Sequence, residues 1–158
     1  MPVIIKFYKV NDCFGCFSNF SKHPFELDDK IWLTSEHYFQ SRKFLDENVK
    51  DKIRSVVSPM EAALIGRNRS YTLVENWECI KDDVMREAVF AKFYQNKDIK
   101  EILLSTGDAE IIEHTKNDNY WGDGGDGGGK NMLGLILMET RQKLKENKFD
   151  GLVKASIR

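Results

Sequence analysis

A mostly helical α+β domain with a small antiparallel sheet is the fold this sequence predicts, and three observations carry that reading. Apolar residues recur at helical spacing over long stretches, as at Ile80, Val84, Ala88 and Ala91. Only a few short segments alternate as strands do. The 158 residues, 41% hydrophobic and 31% charged, suit one soluble globular domain over residues 1–158 with a core of its own.

Val3 to Tyr8 reads as a strand, and Phe25-Glu-Leu27 with Ile31-Trp-Leu33 alternates about Asp28-Asp29-Lys30 as a hairpin does. A helix follows from Ser35 to about Leu45, with Thr34 or Ser35 as N-cap and Glu36 favourable in its first turn. Another covers Val49 to Val57. Ser58-Pro59-Met60-Glu61 is the sharpest start: a serine cap, proline at the first helical position and glutamate three residues on. That helix runs to about Gly66, and a longer one spans Trp77 to Tyr94. Ile99 to Ser105 is a short helix closed by Gly107. Glu110 to His114 reads as a strand, and Asn131 to about Glu146 as a helix with Met132, Leu135, Ile136 and Met138 available to the core.

A net charge of −1 gives no footprint for non-specific nucleic-acid or membrane binding, although basic residues cluster at Arg67, Arg69 and along the C-terminal helix. No apolar run approaches the roughly 20 residues of a membrane span. The apolar start before Lys6 is too short for a signal peptide, and three cysteines fit a reduced thiol set, so a cytoplasmic location is expected. Cys13-Phe-Gly-Cys16 has no second pair for zinc and sits in a turn pattern, so neither metal nor redox use is expected.

Between Trp121 and an apolar run stand six glycines with Asp123 and Asp126 among them. Gly124 to Lys130 nearly matches a Walker A loop, but Asn131 replaces the magnesium-binding hydroxyl and no buried strand precedes it. The EF-hand spacing is absent too. What remains is a general anion site made of free N–H groups before a helix. Glu36, Gln40 and Lys43 fall at i, i+4 and i+7, on one helical face. His37 reads as a core or supporting histidine. Trp77 and Trp121 suit either core anchoring or base stacking.

Phe14-Gly-Cys-Phe-Ser-Asn-Phe20, Glu36-His-Tyr-Phe-Gln40, Lys43-Phe44, Gly107-Asp108, Tyr120-Trp-Gly122 and the N-x-L-G-x-x-L-M-E of Asn131 to Glu139 stand in one order. Together they resemble the YbiA-like, or NADAR, family of N-glycosidases, from about Lys6 to Leu144. The resemblance implies hydrolysis of an N-glycosidic bond to a phosphorylated ribose. The substrates it implies are ribosylamino-pyrimidine phosphates of early riboflavin synthesis, degraded as damage control, or ADP-ribose on guanine in nucleic acid. It points to Glu36, Lys43 and Asp126 as catalytic. Asn19, Phe20, Gln40, Trp77, Trp121, Gly122, Gly124, Gly128 and Asn131 become substrate-binding positions.

Such chemistry agrees with the residue types. Departure of a base builds oxocarbenium character, which a carboxylate stabilises and a general acid assists. Lys43 could instead form a Schiff base if burial or a cation such as Arg42 lowers its pKa. The glycine loop is expected to cradle the ribose phosphate, with Asp126 toward the sugar hydroxyls. No cofactor is required. A non-catalytic ADP-ribose or nucleotide-binding module is the alternative.

Overall fold

Strand β1 (Ile4–Phe7) leads through a 3₁₀ turn at Gly15–Phe17 into the hairpin of β2 (Phe25–Leu27) and β3 (Lys30–Trp32). Then come α1 (Ser35–Ser41), α2 (Glu47–Ser55), α3 (Pro59–Arg67), α4 (Trp77–Gln95) and α5 (Lys97–Ser105). Strand β4 (Glu110–Glu113) and α6 (Met132–Asn147) complete the order. This computed structural model describes residues 3–147, so the ends of the expected 1–158 domain lie outside the described residues.

The hairpin is antiparallel, as the alternation predicts, with Phe25 opposite Trp32. Asp28 and Asp29 both have positive φ, the left-handed geometry that lets a two-residue turn match the twist of its strands. A second pair, β1 with β4, is parallel and sets Ile5 opposite Ile111. Helix α6 packs close over β4, because a Cβ at Gly134 would lie 2.1 Å from the Ile111 carbonyl.

One core runs through Phe7, Phe17, Tyr38, Phe93, Leu103, Ile111, Leu133 and Ile136, with α4 contributing Val84, Met85, Ala88 and Val89. A smaller cluster of Phe44, Val49, Ile53 and Ala62 joins α2 and α3 to the chain after α1. Lys92 is buried in the main core with its Nζ donating to the Ser18 carbonyl at 2.9 Å, and burial pushes it down to about 7. Among the described residues no helix is long and apolar enough to cross a membrane.

Helix α1 is shorter than its sequence pattern, stopping at Ser41 rather than near Leu45. Phe44 leaves the helix to bridge Leu73, and the Lys43 carbonyl accepts from Val74 N at 2.7 Å. Burial of Phe44 in the second cluster outweighs the modest helical propensity of the segment. Lys43 therefore stands in a turn, not two helical turns along the face that carries Glu36.

Candidate active site

The start of α1 is held from both sides. Thr34 caps it by accepting from His37 N, and Glu36 N and Ser35 Oγ donate to the backbone and side chain of buried Asn19. His37 is a core residue: its Nε2 meets the Val56 carbonyl at 2.9 Å, so Nδ1 is left to accept from the Thr34 hydroxyl. This anchoring presents the Glu36 side chain with little freedom. Gln40, one turn on, donates from Nε2 to Glu36 Oε2 at 2.6 Å. Burial raises the Glu36 carboxyl, while the Gln40 bond and the fields of Lys43 and Arg67 pull it down.

Gln40 holds this orientation at a cost. Its Oε1 is buried without a hydrogen-bond partner and lies against Gly66 of α3, where a Cβ would come within 1.9 Å of it. An orphaned buried acceptor costs about 1–3 kcal/mol. Keeping the donor end on Glu36 is the arrangement that leaves it so.

Lys43 is 8% exposed, and its Nζ has one long contact, 3.5 Å, to the Gly66 carbonyl. Burial and the neighbouring Arg69 push it down to about 8; Glu36 opposes the shift and Arg67 adds to it. Arg42, the cation expected to do this, turns away to Tyr38, Asp28 and Glu87. Nζ also lies 5.8 Å from the Phe39 ring centre. Phe39 joins the two tryptophans, meeting Trp77 at 5.1 Å and Trp121 at 5.3 Å, both edge to face. Trp77 is buried and mainly a core anchor, whereas Trp121 is half-buried with Tyr120 against it.

On the opposite side stand carboxylates that the sequence did not single out. Glu113, at the end of β4, is pushed up to about 7 by burial and by the fields of Asp118, Glu36 and Asp123. Asp118 accepts from Tyr120 N and Trp121 N and so aims the Trp121 ring.

The glycine loop is built around Asp123. Its carboxylate accepts from Thr115 N, Gly125 N and His114 Nδ1, bonds that outweigh the upward pull of burial and hold it below the usual range. Gly124, Gly125 and Gly127 have positive φ, and Gly122 packs where a Cβ would meet the Glu113 carbonyl at 2.9 Å. Asn131 bonds Glu113 N and the Ile111 carbonyl, tying α6 to β4. Most loop amides are spent within this fold: Gly124 N on Asp118, Gly129 N on Asp123, Lys130 N on Asn119 and Asn131 N on Gly122. Met132 N and Leu133 N at the start of α6 go to Tyr120 and Trp121. The phosphate cradle expected from the glycine run therefore has fewer free donors than its glycine content suggests, with Asp126 N and Gly127 N at its exposed tip outside these bonds.

Of the expected residues, Glu36, Gln40, Lys43 and Trp121 converge through Phe39 and Gly66, with Asn19 and Trp77 behind them. Phe20 is half-buried beside Asn19, its N–H on Ser18 Oγ. Gly122 and Asn131 shape the loop. Asp126 is exposed and accepts from Gly128 N, and Gly124 and Gly128 lie in the same outer turn, so their contacts stay within the loop. Gly66, Glu113 and Asp118 are not singled out for the site by the sequence, and Arg69 stands out there only as part of a basic cluster with Arg67. Among the described residues no group of three or more His, Cys, Asp or Glu is placed to hold a metal ion.

Residues 6–145 match the NADAR domain. The chain belongs to the NADAR family. Within it, the chain is 55% identical over 141 residues to N-glycosidase YbiA of Shigella boydii, covering 89% of this chain and 88% of that one. It is 38% identical to a riboflavin biosynthesis protein of Vibrio vulnificus, over 94% of this chain and 41% of that protein. The NMR structure of Escherichia coli YbiA superposes with a TM-score of 0.88 at 53% identity, covering 94% of this chain and 89% of that one. The NADAR match spans both halves of the site, from Glu36 to Trp121 and Asn131.

Proposed function

We propose that the chain is an N-glycosidase that releases a base from a phosphorylated ribose, with Lys43 as nucleophile. The observation supporting this most is a buried lysine pushed down to about 8 beside a carboxyl, Glu36, that burial raises. Such a lysine has a neutral fraction near pH 7 that a surface lysine lacks. Neutral Nζ attacks the anomeric carbon, the bond from that carbon to the base breaks, and the base takes up a proton as it leaves. Glu113, near half-protonated at neutral pH, supplies that proton. Glu36 stabilises the positive charge on the sugar. The adduct opens to an imine, water adds, and the carbon–Nζ bond breaks to return the sugar aldehyde and free Lys43.

Relatives named for riboflavin biosynthesis in Vibrio vulnificus and Zea mays favour ribosylamino-pyrimidine phosphates as substrate, with damage control as the role. ADP-ribose on guanine is the second class, and the Trp121 face suits either base. Incubation with both classes, followed by mass spectrometry for free base and sugar, is expected to show release from one of them. Borohydride added during turnover is expected to leave the sugar mass on Lys43, and Glu36→Gln to lose at least about 100-fold in rate with its melting temperature retained. An active Lys43→Arg enzyme with no trapped adduct would move the reaction to direct attack by water. No release from either class would leave the non-catalytic ADP-ribose module.

A further inference from the structure

Two cationic heads converge on one carbonyl oxygen at the end of α3. Lys43 Nζ approaches Gly66 O at 3.5 Å and Arg69 Nη1 donates to it at 2.9 Å. Arg67, the last residue of α3, is exposed and close enough to act on both Lys43 and Glu36. Like charges gathered this way repel one another unless an anion lies between them.

Glu36 offsets part of this through its field on Lys43 and Arg67, but it forms no ion pair with either. Among the described residues Arg42, Arg54 and Arg86 each pair with a carboxylate, and Arg141 is buried on Thr106 and the Ala109 carbonyl. Arg67 and Arg69 have no ion pair among the described residues. The other wall of the site is the reverse case. It carries Glu113, Asp118 and Asp123, and most of its loop amides are internally bonded. A dianion brought to the sugar is repelled by that wall and attracted by this one.

We propose that Arg67 and Arg69 form the subsite for the phosphate of the substrate, beside Lys43 and in place of the glycine loop. The inference rests on the phosphorylated-ribose reading above and names where that phosphate sits. Guanidinium forks give paired, charge-assisted bonds to phosphate oxygens, and the Asn68 side chain sets the turn between them by accepting from Ser70 N and Oγ. Either the 5′-phosphate of a ribosylamine or the diphosphate of an ADP-ribosyl group satisfies this chemistry.

Calorimetric titration of the full chain with ribose 5-phosphate, ADP-ribose and ribose tests it, comparing parent with Arg67→Gln/Arg69→Gln and with Lys130→Gln in the glycine loop. The double variant is expected to weaken both phosphorylated probes by about 10-fold or more, and Lys130→Gln to change them little. The probe that the parent binds more tightly identifies the source of the phosphate. Parent-like binding by the double variant, or an equal loss in Lys130→Gln, would overturn the subsite. Base release that persists with arginine-independent phosphate binding counts against this inference alone. Arginine-dependent binding with no base release counts against the glycosidase reading alone.

Discussion

Lys43 is governed by neighbours that act in opposite directions. Burial and the Arg69 and Arg67 cations favour its neutral form, and Glu36 favours the charged one. With Lys43 as nucleophile, the rate rises with pH as the amine loses its proton, with an apparent pKa of about 8. Arg69→Gln removes a cation that lowers this value, so the rising limb is expected to shift to higher pH. The pH dependence of borohydride trapping checks this directly; an unmoved limb would mean that Arg69 does not set the basicity. Glu36, Gln40 and Lys43 were legible as a group from their spacing. The route that brings Lys43 in was not, because it depends on Phe44 pairing with Leu73, a contact 29 residues distant that helical periodicity does not contain.

At the scale of elements, α1 and α3 meet where Gly66 touches Gln40, and that contact aims Glu36. Gly66→Ala places a methyl group against the Gln40 amide and is expected to cost about 1–3 kcal/mol of stability through overpacking. Its effect on rate should be larger, about 100-fold, because displacing Gln40 shifts the carboxylate it holds. Melting temperature and kcat measured together check this; a loss of stability with kcat unchanged would remove Gly66 from any positioning role. Helix starts were largely readable, since Ser58 and Thr34 cap as their side chains suggest. The glycine loop was readable only as a place of unusual backbone. Where its amides point is decided by Asp118, Asp123 and the carbonyls of 119–122, which meet only in the folded loop.

Across the whole molecule, alternation and periodicity locate nearly every element, with ends shifted by a few residues. Strands of four residues, β1 and β4, carry no signal of which partner they take. Nor does any pattern mark Lys92 as buried, although the other lysine of its helix, Lys81, is less enclosed. Lys92 falls from 10.5 in the unfolded chain to about 7 in the fold, so the unfolded state binds more protons between those values and stability rises with pH across that window. Lys92→Met is expected to be more stable than the parent near about pH 6, by ~1–3 kcal/mol, and to lose that advantage by about pH 9. Urea denaturation at both values tests it; a constant difference would show that Lys92 does not titrate in the fold. Ser18 O keeps a donor in the variant, because Ser21 N also bonds it.

The parallel pairing of β1 with β4 has a consequence for how the chain acquires its shape. Partners such as Ile5 and Ile111 stand more than a hundred residues apart, so the ladder closes only after nearly everything between has been made and gathered. During synthesis, the first strand waits with an open edge and an unfilled cradle until β4 and then α6 emerge to seal it. The carboxylate of Glu36 and the loop that faces it are thus brought opposite one another in the last stage of assembly, and a partly made chain has neither a finished core nor a finished cleft.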